Sequence, residues 1–307
     1  MATLQEKGML ARLHICQWTG RKFDRDASNY VNNSYKAESD AARVNKMLVP
    51  KAMLAPVERS VAKSRLWFAT NTSPWLDNGM RILSTEKYFD FVSTMLGMKS
   101  EFESSVDNLC DVYQDFINAG QARSHMGGMF DSTDYPDKEI IRNRFVFETK
   151  FMPIPAQGDW RVAVDADTEA ELRESLKDQL LDAELNIYND ICNRITDKVT
   201  HVYERLSTDS KFQNRIFDSL AMLSELIPEL NVLDDPRVNM LQKQLATLAA
   251  ADTDGIRKDE AYKQVVMNNA AEILHKMEIF NDNTAREITT SENEPHIRSA
   301  VLWGVSP

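Results

Sequence analysis

The residues of this chain best placed for chemistry are carboxylates. Asp131, Asp134 and Asp137, followed by Glu139, form its densest acidic set, and oxygen ligands of this kind suit hard cations. An EF-hand needs oxygens at every second position and a glycine at the sixth, which this segment lacks. Turn formation and helix capping explain the cluster more simply, so a metal-dependent hydrolase built on Asp131, Asp134 and Asp137 is the remotest reading. The histidines are His14, His125, His201, His275 and His296. No two share metal-ligand spacing and no H-E-x-x-H occurs. Cys16, Cys110 and Cys192 form no C-x-x-C and are odd in number, as expected of thiols used as small core residues in a reducing compartment. No G-x-S-x-G marks a nucleophile, and Gly127-Gly128 is not followed by the Gly-Lys-Ser/Thr of a phosphate loop. The sequence therefore assigns no catalytic, cofactor-binding or metal-binding residue.

A second constellation lies near the N-terminus. Residues 1–65 carry twelve Lys and Arg against six Asp and Glu, whereas residues 151–307 carry sixteen against twenty-eight. The whole chain has a net charge of -11. Trp18, Arg21, Lys22, Arg25, Lys36, Arg43, Lys46 and Lys51, interleaved with Tyr30 and Tyr35, combine cations with aromatic rings. Single-stranded nucleic acid is held by such mixtures, the cations tracking phosphates and the rings stacking on bases. The plainer reading is a set of solvated helices whose aromatics face the core, and the acidic remainder of the chain would repel a polyanion.

The elements that would position these residues are mostly helical. At 307 residues, 43% of them hydrophobic, the chain can bury a real core, and ten Gly and ten Pro argue against an all-β fold. From Asp167 to Leu206 no Gly or Pro intervenes, and Thr168 with Glu171 has the form of a capping box. Leu181, Leu185, Tyr188, Cys192, Ile195, Val199, Val202 and Leu206 recur in alternating steps of four and three, the seam of a helix lying along another. Such a helix is roughly 60 Å long. Ser84 to Gly120 repeats the rhythm in Tyr88, Val92, Met95, Lys99, Phe102, Val106, Leu109, Tyr113 and Phe116. Lys99 in that seam either fixes register or snorkels out of it. The expected fold is mainly α: an elongated, coiled-coil-like antiparallel long-helix spine with a small β element and a C-terminal helical subdomain.

The chain divides accordingly into a basic strand-plus-helices region (1–83), a long helical hairpin with a β insertion near 127–165 (84–206), a helical subdomain (207–280) and a polar tail with an apolar end (281–307). Strands are predicted at residues 8–18, at 145–151 and at 160–164. Helices are predicted from Asp24 or Asp26 to Tyr35, over Glu38–Leu48 and over Lys51–Ala69. Three shorter helices follow, over Ser210–Leu226, from Asp235 to Ala250 with Pro236 at the first position, and over Asp259–Phe280. Val301, Leu302 and Trp303 form the apolar end, suited to docking on this core or on a neighbour. No stretch approaches eighteen consecutive apolar residues, which predicts no membrane span, and no long apolar core follows the first charges, which predicts no signal peptide.

Several landmarks together resemble a known family. They are Thr72-Ser-Pro-Trp75 with Gly79-Met-Arg-Ile-Leu83, then Tyr88-Phe89, Tyr135-Pro136, Arg144-Phe-Val-Phe147 and Pro153-Ile-Pro155. Gly158-Asp-Trp-Arg-Val162, Leu230-Asn-Val-Leu-Asp-Asp-Pro236, Ile256-Arg257 and Ile273-Leu-His-Lys-Met277 complete the set. In order and spacing they resemble an uncharacterised family of phage and proteobacterial proteins known only as a domain of unknown function. The likeness covers roughly residues 10–280. Asp159-Trp160-Arg161 stands where Asp-Phe-Arg is commoner in the family. The resemblance implies a phage or mobile-element context near MoxR- or cobaltochelatase-like AAA+ ATPases, and it carries over no catalytic residue.

The function expected is therefore a non-enzymatic, phage-type interaction or assembly protein of the cytoplasm (the host's, if phage-encoded). It would self-associate, or serve an AAA+ ATPase or another phage protein. The alternative is a single-stranded DNA-binding protein of phage replication or recombination that uses the basic aromatic N-terminal third.

Overall fold

A computed structural model describes residues 3–76, 79–156, 166–208 and 212–290, with side chains described up to residue 277. The chain is mainly helical with a small antiparallel β component. In chain order its elements are α1 (Leu4–Lys7), β1 (Gly8–Cys16), β2 (Arg21–Asp24), α2 (Arg25–Ser34), β3 (Val44–Met47), α3 (Lys51–Thr70), β4 (Ser73–Pro74) and β5 (Arg81–Ser84). There follow α4 (Tyr88–Asn118), α5 (Gln121–Met126), α6 (Lys138–Arg142), β6 (Val146–Pro153), α7 (Ala166–Thr208), α8 (Arg215–Leu230), α9 (Pro236–Ala249), α10 (Thr253–Lys258) and α11 (Glu260–Thr290). One sheet has the order β4-β5-β1-β6, and β2 and β3 pair separately.

These elements form two compact units, each assembled from separated stretches of chain. A mixed unit takes residues 11–70 and 88–151, and a helical unit takes residues 1–10, 71–87 and 152 onward. The boundaries of these units differ from the consecutive ones expected at residues 83, 206 and 280. α4 belongs to the mixed unit and packs on α3 and α6, while α7 belongs to the helical unit and packs on α11 and α8. In each case these packing helices lie inside the long helix's own unit.

Within the mixed unit, Met95, Phe102, Val106, Leu109, Tyr113 and Phe116 of α4 are buried as their spacing predicts. Tyr88, Val92 and Lys99 are only half-buried, and Lys99 reaches out to Glu103, 3.9 Å away on the next turn. In the helical unit, α7 buries Leu180, Ala183, Ile187 and Ile191 rather than Leu181, Leu185 and Tyr188, and rejoins the expected seam at Cys192. Packing against two helices asks for an apolar face broader than a coiled-coil seam, and steps of four replace the strict heptad. α7 is described from Ala166, which places Thr168 within the first described turn.

Other expectations shift for local reasons. Asp24 caps α2 by accepting from the N–H of Ala27 at 2.9 Å. The helix expected over Glu38–Leu48 is instead a loop followed by β3. Asn32, buried, donates through Nδ2 to the carbonyls of Ser39 and Ala42 at 3.0 and 3.2 Å, and Lys36 takes a φ of 53°. These bonds hold residues 36–43 in a turn and deliver Val44 to the β2 ladder. Arg81–Ser84, just before α4, is a strand paired with β4. The polar segment after Phe280 continues α11 to Thr290. The strand expected at 160–164, the start of the helix expected from Ser210 and the tail carrying Val301, Leu302 and Trp303 lie outside the described residues.

Candidate interaction surfaces

β2 and β3 form a two-stranded ribbon whose register sets Lys22 opposite Lys46 and Phe23 opposite Asn45. Like charges facing across strands repel, and a carboxylate is needed between them. Asp134 supplies it. Its Oδ1 accepts from Lys22 Nζ at 2.5 Å and its Oδ2 lies 2.5 Å from Lys46 Nζ. Lys46 also lies 3.2 Å from Asp24 Oδ2 and donates to the Met129 carbonyl at 3.1 Å. Asp134 is 7% exposed. Burial opposes its ionisation, but hydrogen bonds from Lys22 and Lys46 outweigh that and hold the carboxyl below its ordinary value. The bond to Asp134 likewise raises the Lys46 ammonium against the cost of its burial.

The loop over residues 131–137 is therefore a clasp for the ribbon. Asp131 accepts from the backbone N–H and hydroxyl of Thr133 at 2.9 and 2.8 Å, as a turn residue does. Tyr135 donates to the Leu48 carbonyl at 3.0 Å, and His125 Nε2 lies 3.1 Å from the Met47 carbonyl. Asp137 precedes α6 at its N-terminal cap position. The three aspartates diverge into a counterion, a turn and a helix start.

The eight residues singled out for nucleic acid fare unequally. Trp18 is buried, its ring edge-on to Tyr113 at 5.6 Å. Lys46 and Lys22 are committed to Asp134, and Arg43 lies over the Phe23 ring at 4.7 Å. Arg21, Arg25, Lys36 and Lys51 remain exposed, as do Tyr30 at 76% and Tyr35 at 82%. Trp18 thus packs in the core, and Lys22 and Lys46 each pair with Asp134.

Three features escaped the sequence reading. A cleft of about 340 Å³ is lined by Gln114, Ile117, Arg123, Phe130, Tyr135 and Asp137 among others, with Arg123 over the Phe130 ring at 4.8 Å. A hollow of about 290 Å³ lies between α4 and β6. Cys16 Sγ lies 3.2 Å from His14 Nε2 on one face of β1, an i,i+2 spacing that a strand reading makes visible. Among the described residues no carboxylate bonds that imidazole, so the third group that orients the base of a nucleophilic triad is missing there. The other two thiols are inert core residues, and burial pushes Cys192 up to about 11.

In the helical unit Asp235 serves a helix start. Asp235 caps α9 through the Arg237 N–H at 2.8 Å and accepts from the Tyr188 hydroxyl at 2.9 Å. Burial disfavours its charge, but the Arg237 side chain and N–H outweigh burial and lower its pKa. No helix among the described residues is long and apolar enough to cross a membrane. Comparison of the chain with protein-family models, with curated proteins and with solved structures finds no match.

Proposed function

We propose that the chain is a phage-type interaction or assembly protein of the cytoplasm that acts by self-association, or by docking an AAA+ ATPase or another phage protein, rather than by catalysis. The observation that supports it is apolar surface left in water on α4, where Phe89 is 82% and Leu96 61% exposed. Large side chains on one helical stripe, three and four residues apart with half-buried Val92 between them, suit a protein partner. Binding of single-stranded DNA is the second reading, favoured by Tyr30 and Tyr35 standing exposed near Arg25 and Lys36 in sequence.

Light scattering coupled to size exclusion, with and without single-stranded DNA, separates the two. A discrete oligomer whose mass ignores DNA is expected. A monomer at every concentration overturns self-association. A DNA-dependent mass shift that fades with salt, and weakens about tenfold on joint charge reversal of Arg21, Arg25, Lys36 and Lys51, moves the second reading to first place. Lys22 and Lys46 are unsuitable for that test because both brace the fold through Asp134.

A further inference from the structure

β6 closes one end of its sheet among the described residues, and a strand edge is a template for another strand. Natural edges are blunted by inward-pointing charges, bulges, edge lysines and prolines. β6 carries Lys150 and ends at Pro153, but none of its charges points inward: Glu148 and Lys150 are exposed and lie 3.2 Å apart within one copy. Phe147 and Phe151 turn toward α4, their rings 5.5 Å from Phe102 and 5.1 Å from Tyr88. The hollow of about 290 Å³ runs beside this strand, bordered by every residue from Phe147 to Phe151 and, on α4, by Val92, Met95, Leu96 and Lys99. Residues of both strand faces border one hollow, so it follows the backbone edge rather than either face.

The occupant is written in the strand. Phe147-Glu148-Thr149-Lys150-Phe151 is self-complementary when reversed about Thr149. An antiparallel second copy places Glu148 opposite its Lys150 and Lys150 opposite its Glu148. Phe147 then faces its Phe151, and Thr149 faces itself. Opposite charges, aromatic pairs and paired threonines are all favourable cross-strand neighbours, and an isologous interface requires such self-complementarity.

We propose that β6 pairs antiparallel with β6 of a second copy of this chain about a twofold axis at Thr149, continuing the sheet through both molecules. The incoming strand lies about 4.8 Å from the first, along the hollow. Its two phenylalanines rest on Val92 and Leu96, covering side chains that one copy leaves in water. The proposal rests on the self-association reading and assigns it a surface.

The test is a charge swap, because exposed Glu148 and Lys150 tolerate substitution without unfolding the chain. Glu148→Lys alone and Lys150→Glu alone each set like charges opposite one another at both symmetric pairs. Each is expected to raise the dimer dissociation constant, measured by sedimentation, about tenfold. The double variant Glu148→Lys/Lys150→Glu restores the pairing and is expected to return to within about threefold of the wild type. Single variants that associate like the wild type, or a double variant no better than the singles, overturn the β6 interface while leaving self-association intact. A wild-type monomer overturns both.

Discussion

Asp134 is the residue on which the mixed unit's ribbon depends. Lys46 has a side chain only 9% exposed, and its ammonium is answered by Asp134 and Asp24. Truncating one partner of a buried pair leaves the other charge without compensation. Asp134→Ala is expected to cost about 3 kcal/mol in a urea titration, whereas Asp131→Ala, which loses only an exposed turn contact to Thr133, should leave the urea midpoint close to that of the wild type. The pH dependence has a definite sign. The Asp134 carboxyl is lowered from an ordinary value of 3.8, so its contribution is complete above that value and is lost as pH falls through the lowered one. Lys46 is raised from 10.5, so its share persists through neutral pH and is lost as pH rises past the raised value. Urea midpoints taken from pH 7 down to pH 2 should fall more steeply for the wild type than for Asp134→Ala. Parallel curves would show that the clasp carries no net stability.

Among elements, those whose signals are local were readable and those set by distant partners were not. α3, α4, α9 and the two longer strands follow from apolar spacing, Asp caps and Pro236, all within one element. The stretch from Glu38 to Leu48 misled because its helix-compatible residues are overruled by Asn32, seven and ten residues upstream of the carbonyls it holds. Similarly, α7 carries apolar residues at both Leu180 and Leu181 and at both Ile187 and Tyr188, so only its neighbours α8 and α11 decide which row is buried. The Lys22 and Lys46 pairing was hidden for the same reason, since their counterion lies more than eighty residues away. The junction between α8 and α9 shows how much one side chain can fix. Asn231, buried, accepts from the Asp235 N–H at 3.0 Å and donates to the Asp235 carbonyl and to Asn239 at 3.0 and 3.1 Å. Asp234 beside it holds a φ of 52°. Asn231→Leu leaves a buried N–H and carbonyl without those bonds and is expected to cost about 2–4 kcal/mol, read as a lowered melting temperature. Asp234→Gly, which relieves the left-handed backbone, should be neutral or slightly stabilising despite the loss of an exposed ion-pair partner for Lys7.

At the scale of the whole molecule the interleaving of the two units decides what can fold alone. The chain passes between them near residues 10, 70, 87 and 151, so no single cut releases either one. A reading from helical periodicity would excise residues 84–206 as a hairpin. That piece takes α4 away from α3 and α7 away from α8 and α11, the helices that bury their apolar faces. What remains keeps α5, α6 and β6 beside α4 but leaves α4 without α3, and leaves the buried row of α7 from Leu176 to Leu206 without α8 and α11. Helical propensity alone is marginal without tertiary packing. The 84–206 fragment is therefore expected to show helical circular dichroism but a broad, non-cooperative thermal transition and rapid proteolysis, against a cooperative transition for the full chain. A sharp, protease-resistant fragment would mean that the two long helices do satisfy one another, and it would restore the spine that their heptad spacing suggests.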